Sequence, residues 1–212
     1  MAVYDISDSQ PDDRVSDIIS RGNCDGIILK LGETLNKVPT LDDKFVMFVN
    51  QVVEAGLPYG IYYVSHAENM NEFMMEAQWI NDQVADLLAG TEPSLGTWWD
   101  MEVPAVKRDG ITQELLDAIG TMQAWWSSHK IGIYAQYSYF TDYLDLDKLA
   151  EYQIPIWVAQ YCYHENSLKA EYPQLNHVAY QWTTHGENAG EDYWNEYGAA
   201  QDEDVWYGFP EN

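Results

Sequence analysis

Two carboxylates placed two residues apart, Asp100 and Glu102, are the sharpest chemical signal in this 212-residue chain. They lie in a stretch, Gly96 to Val103 (GTWWDMEV), whose other members are mostly apolar. In a strand, residues i and i+2 share a face, with Cα atoms roughly 6.6 Å apart at about 3.3 Å of rise per residue. Carboxylates that close repel, so one keeps its proton to higher pH while the other stays charged. That division suits glycoside hydrolysis, in which a carboxylic acid protonates the leaving oxygen and a carboxylate supports the oxocarbenium-like centre. A solvated acidic pair is the plainer reading in a chain with 35 Asp and Glu. Against it, the pair follows Trp98-Trp99 in an otherwise apolar run. Asp5, between Tyr4 and Ile6, is likewise misplaced in a strand unless it faces a polar site.

The elements that must position these groups follow from periodicity. Short apolar runs predict strands at 2–6, 26–31, 59–64, 96–103, 131–135, 155–161 and 176–182. Helical spacing predicts helices at 12–20, 45–53, 68–88, 112–129 and 139–152. Five βα units followed by about three strands predict an α/β fold, an irregular TIM-like barrel. A doubly wound sheet is the alternative, but no Gly-rich phosphate loop follows an early strand. The whole chain, 1–212, reads as a single catalytic domain, with about 199–212 a terminal strand or the start of a linker. Chemistry in a βα barrel sits at the C-terminal strand ends. Those ends carry Asp5, Tyr62, Asp100, Glu102, Tyr134, Gln160, Tyr161, Gln181 and Trp182, with Lys30 as the one cation.

Composition narrows the ligand. Against 35 acidic residues stand 10 Lys and Arg, a net charge of −25. That argues against nucleic acid, which needs phosphate-neutralising cations, and against anionic membranes. A neutral polar ligand fits better, above all a sugar whose ring faces stack on some of the 9 Trp and 16 Tyr. Each of these aromatics taken alone is more readily a core residue. Trp157, Tyr161 and Trp182 fall at strand ends, where a groove is expected. No basic n-region or apolar signal segment opens the chain, and no run is long enough to span a membrane. A protein made in the cytoplasm without a signal peptide is expected. Cys24 and Cys162 are read as two free thiols rather than a disulfide. The five scattered His suggest no zinc site, no D-x-D-x-D-G calcium loop is present, and no cofactor is expected.

Taken in order, several segments resemble glycoside hydrolase family 25, the Chalaropsis-type lysozymes common as phage endolysins. They are Tyr4-Asp5-Ile6-Ser7 with Gln10, Gly26 to Lys30, DDKFVMFVNQVVEAGLPYGIYYVSHA (42–67), Trp99-Asp100-Met101-Glu102, Ile131 to Tyr134, Pro155 to Tyr161 and Tyr180 to Thr184. The resemblance spans nearly the whole chain. It implies N-acetylmuramidase activity, cleaving the β-1,4 bond between N-acetylmuramic acid and N-acetylglucosamine in peptidoglycan with retained configuration. It implies four groove carboxylates, of which three map to Asp5, Asp100 and Glu102, with Glu102 the proton donor. Asp100 is then the nucleophile or the group that orients the substrate's own acetamido. The fourth maps best to Asp192, with Glu187 and Glu191 as alternatives, because the usual glycine-rich turn before it is shortened. Tyr62, Trp99, Tyr134, Trp157, Gln160, Tyr161, Gln181 and Trp182 are expected along the sugar subsites. The rival readings are an inactive wall-sugar-binding barrel and a glycosidase acting on another N-acetylated glycan such as chitin. Action on the wall after release from a bacterial host is expected, either as a catalytic domain separated from a wall-binding domain or as a chain that works alone.

Peptidoglycan with its teichoic acids is itself anionic, so long-range repulsion is expected to limit residence on the wall. Lysis by this chain should therefore rise with moderate salt in a turbidity assay; a steady fall would leave the acidity to be explained by solubility.

Overall fold

The structure is a computed structural model that describes residues 2–22, 24–126, 130–161, 165–183 and 202–209. The elements run β1 (Ala2–Ile6), α1 (Arg14–Arg21), β2 (Gly26–Leu35), β3 (Val38–Leu41), α2 (Phe45–Glu54), β4 (Tyr59–Val64), α3 (Met70–Leu87) and β5 (Thr97–Asp100). A 3-10 turn (Pro104–Val106), α4 (Ile111–Trp126), β6 (Ile131–Gln136), α5 (Tyr137–Tyr143), α6 (Leu146–Glu151), β7 (Pro155–Ala159), α7 (Ser167–Glu171), β8 (Asn176–Thr183) and β9 (Asp202–Trp206) follow. Hydrogen-bonded order is β1-β9-β8-β7-β6-β5-β4-β2, and β1 pairs back onto β2, which closes an eight-stranded barrel with β3 appended. Barrel neighbours are parallel except β9, which is antiparallel to both β1 and β8. This is the expected architecture: an α/β barrel of βα units followed by further strands.

The period-two alternation of each strand divides the apolar residues into two cores. One set, including Tyr4, Leu29, Tyr63, Trp99, Ile133 and Val158, faces the helices. The other, including Val3, Ile28, Trp98, Tyr134, Trp157 and Trp206, faces the barrel axis. Deep in the barrel the second set forms an aromatic floor. Trp98 meets Trp157 edge-on at 5.7 Å and Trp206 at 6.2 Å between ring centroids, and Phe209 stacks on Trp98 at 6.1 Å. Gly132 makes room for this floor, because a Cβ there would lie 2.6 Å from the Trp98 ring and 2.5 Å from the Pro155 carbonyl oxygen.

Three local features differ from the sequence expectation. β2 continues to Leu35 and turns into β3 through Asn36 and Lys37, both at positive φ (51° and 65°), with Leu35 paired to Val38. That is a two-residue hairpin turn. β5 ends at Asp100 rather than running to Val103. Met101 N–H still bonds Tyr134 O, but Pro104, which has no N–H, opens the 3-10 turn, and Glu102 therefore rises off the strand end. The expected single helix over 139–152 is two, because the Asp145 side chain accepts from Lys148 N and starts a new helix. Cys24 is a free thiol, its S–H donating to Gly26 O, with burial pushing its pKa up to about 11; Cys162 lies outside the described residues.

Behind the rim, Glu76 of α3 is fully buried and holds β2 and β4 together. It accepts hydrogen bonds from Ser65 Oγ (2.6 Å), Thr34 Oγ1 (2.6 Å) and the His66 N–H (3.1 Å). Tyr63 OH lies 2.7 Å from Thr34 Oγ1 and extends the chain. Each donor would be left unsatisfied in the interior without this carboxylate.

Candidate active site

Above the aromatic floor the inward positions change character. β1 turns Asp5 inward, β2 Lys30, β4 Tyr62, β5 Asp100, β6 Tyr134, β8 Gln181 and β9 Asp204, each sharing parity with an apolar residue of the floor or the inner core. The polar groups therefore gather at the C-terminal ends of the parallel strands because their positions in the alternation are inward and the residues are not apolar.

Gln181 organises one side of this layer. Its Nε2 donates to Asp5 Oδ2 at 2.8 Å, while its Oε1 accepts from Tyr134 OH at 2.6 Å and Tyr161 OH at 2.8 Å. Burial, and then the charges of Glu102, Asp100 and Asp5 together with Tyr161, hold the Tyr134 phenol well above its ordinary pKa, so it stays a donor. Two phenol donors fix the amide oxygen, which aims the amide N–H at Asp5. Gln181→Glu keeps the shape and loses that donor at neutral pH. Loss of a charge-assisted bond of about 1.5–3 kcal/mol corresponds to a kcat roughly 10- to 100-fold lower at pH 7. Burial and the Asp5 charge should raise the pKa of the introduced carboxyl, so activity should return as the pH falls and that carboxyl, once protonated, donates again. A pH–rate profile parallel to that of the unsubstituted chain would show that the amide plays no such part.

On the other side stand Asp100 and Glu102. Asp100 is 6% exposed. Burial, then the Glu102 charge and Glu33, push its pKa well up, and Lys30 opposes them. Its Oδ1 is buried without a hydrogen-bond partner among the described residues. Burial also raises the pKa of Glu102, opposed by Lys107 and by a hydrogen bond with Gln136. Two carboxyls in one poorly solvated site share a proton above the ordinary carboxylate range. Lys30 Nζ donates to Glu33 Oε1 at 2.7 Å, which keeps this cation at the rim of the layer. Glu102 also lines a recess of about 140 Å³ with Lys107, Gln136, Ser138 and Asp142. Among the described residues no group of His, Cys, Asp or Glu is arranged to hold a metal ion.

The residues expected from sequence thus fall into distinct places. Asp5, Asp100, Glu102, Tyr62, Tyr134, Tyr161 and Gln181 gather at the barrel mouth. Trp157 lies beneath them, 1% exposed, with its ring 4.4 Å from that of Tyr134. Three expected sugar contacts are not at the mouth. Trp99 faces the helices, packed against Tyr63 and Phe73. Gln160 has the parity of Val158 and accepts from Ser167 N at 3.2 Å. Trp182 packs on the outer core with Tyr180. In each case the neighbour one residue away holds the inward position. Asp192, Glu187 and Glu191 lie outside the described residues. The carboxylate that sequence reasoning missed is Asp204, 1% exposed, in register with Val3 and Gln181. Its Oδ1 accepts from Trp157 Nε1 at 2.6 Å. The alternation of Asp204, Val205 and Trp206 was the available signal.

A family model, Glycosyl hydrolases family 25, matches residues 4–191. The chain belongs to this family. No curated protein sequence matches it. Among solved structures, the bacterial lysozyme from Streptomyces coelicolor is 18% identical, with 99% of this chain and 93% of that one covered and a TM-score of 0.76. The catalytic domain of endolysin ply40, from bacteriophage P40 of Listeria monocytogenes, is 20% identical over 97% and 92% of the two chains, with a TM-score of 0.72. The modular autolysin LytC from Streptococcus pneumoniae is 21% identical with a TM-score of 0.73, and the match covers 97% of this chain and 46% of the autolysin. The present chain therefore spans less than half the length of that modular relative. At these identities the likeness establishes the shared barrel, while membership in family 25 rests on the sequence match. The family 25 match stops at residue 191, before β9 and Asp204.

Proposed function

We propose that this domain is an N-acetylmuramidase. It cleaves the β-1,4 bond between N-acetylmuramic acid and N-acetylglucosamine in bacterial peptidoglycan with retained configuration. The observation that carries this reading is the Asp100–Glu102 pair, in which one buried oxygen, Asp100 Oδ1, has no donor among the described residues. A buried carboxylate oxygen without a partner is costly in the free protein, and the N–H of a 2-acetamido group on the bound sugar is a donor of the right kind. Asp100 then orients the acetamido group for attack on the anomeric carbon, or attacks that carbon itself. Glu102 gives its proton to the leaving oxygen. After that sugar departs, Glu102 in its charged form takes a proton from the incoming water. Asp5, fixed by Gln181, and Asp204, fixed by Trp157, add negative potential beneath the developing oxocarbenium. The names of the neighbouring lysozyme, endolysin and autolysin agree with a cell-wall substrate.

Reducing-end analysis of digested cell walls tests the reading. Free muramic acid ends are expected. Free glucosamine ends would replace it with a glucosaminidase. Binding without cleavage would leave an inactive sugar-binding barrel.

A further inference from the structure

The recess beside Glu102 holds a lysine with no evident task. Lys107 follows the 3-10 turn, and among the described residues its ammonium makes no hydrogen bond or ion pair. Every other cation has a partner. Arg14 and Arg21 face Asp17, Lys30 holds Glu33, Lys37 holds Glu68, Lys44 holds Asp12 and Arg108 holds Glu114. Lys130 reaches Ser94 O, Lys148 reaches Gln113, and Lys169 sits on the Tyr207 ring. In a chain of net charge −25, an unpaired cation bordering the reaction centre stands out. It also works against Glu102, whose proton it weakens while the recess is empty. A neutral sugar offers such a cation only hydroxyl and carbonyl oxygens, whereas a carboxylate on the sugar's branch would form an ion pair with it.

We infer that Lys107 is a specificity-determining residue, and that the recess it shares with Glu102 takes a carboxylate carried on a branch of the glycan next to the scissile bond. The inference rests on the muramidase reading above. Two branches supply that chemistry: the lactyl group of muramic acid when its peptide has been removed, and the peptide itself when it is present. Asp142 lines the same recess from α5, so the site is not uniformly positive. It favours a single carboxylate brought to Lys107 over a polyanionic branch. Once paired, Lys107 no longer opposes protonation of Glu102, so the correct branch also improves the acid.

The test measures binding to Glu102→Gln, which holds glycan without cutting it, by calorimetry. Three probes of one length are compared: peptide-free strands with free lactyl carboxylates, the same strands with those carboxylates capped as neutral amides, and strands with intact peptides. A charged form is expected to bind about fivefold tighter than the capped form at low salt, the scale of one partly exposed ion pair. Adding Lys107→Met should abolish the preference, and Lys107→Arg should keep it. Preference for the lactyl strands identifies that carboxylate, and preference for the peptide-bearing strands alone identifies the peptide. Equal affinity for all three, no binding of the charged forms, or a preference that survives Lys107→Met overturns the inference. Failure of the unsubstituted chain to release muramic acid ends would overturn the underlying reading instead, whatever the binding shows.

Discussion

Glu102→Gln is expected to abolish release of muramic acid ends from bacterial walls without lowering the unfolding midpoint at pH 7. The amide has the shape of the acid and can still meet Gln136, but it has no proton acidic enough to give the leaving oxygen. General acid catalysis is commonly worth about 10²–10⁴ in rate, and a sugar alkoxide is a poor leaving group, so the loss belongs at the upper end. Residual turnover should lose its alkaline limb. On the proposed reading, activity of the unsubstituted chain needs protonated Glu102. Burial raises that pKa, so activity persists above the usual carboxylate range and falls as pH rises through the raised value. Near-normal turnover in the variant would move the acid elsewhere, and the Asp100–Glu102 assignment would go with it.

Asp100→Asn should cut kcat by about 10³ and carry two further signatures. The two carboxyls are coupled, so a charge on one makes the other hold its proton. Without the Asp100 charge, Glu102 should release its proton at lower pH, moving the alkaline limb downward. The second signature is in stability. The folded-state pKa of Asp100 is raised, so its contribution is fully present below the unfolded value and is lost as pH rises through the folded one. At neutral pH, above the unfolded value, the unsubstituted chain has therefore lost part of that contribution. The variant should melt higher at pH 7, with the difference vanishing in acid. A variant that is slower but no more stable at neutral pH would mean that Asp100 is better solvated than its burial implies. A gain in stability with lost turnover is the trade expected of a residue kept for chemistry.

Much of this arrangement is legible in the order of the residues alone. The i, i+3, i+4, i+7, i+8 spacing of Phe45, Phe48, Val49, Val52 and Val53 defines a helix face, and the first four are buried, whereas Val53 at the end of α2 is exposed. The paired carboxylates are visible because Asp100 interrupts an apolar run. What the sequence hides has physical causes. The β2–β3 hairpin turns on Asn36-Lys37, and lysine rarely takes the positive φ that the turn requires, so no Asn-Gly or Asp-Gly marks it. Facing is hidden wherever a strand is apolar on both sides. Trp98 and Trp99 are equally hydrophobic, and only register within the closed barrel sends one to the axis and the other to the helices. Asp204 escapes because β9 is short, antiparallel and beyond the reach of the family pattern, although it pairs with β1 from the far end of the chain.

The aromatic floor has a kinetic consequence. With Trp98, Trp157 and Trp206 packed across the axis and Phe209 stacked beneath, the described residues close the barrel at one end. On the muramidase reading proposed above, the departing sugar and the attacking water then share one doorway, at the strand ends that carry the carboxylates. A second sugar arriving through the same doorway competes with that water. Partition between hydrolysis and transfer of the glycan to another strand is then governed by traffic at the mouth rather than by the carboxylates beneath it.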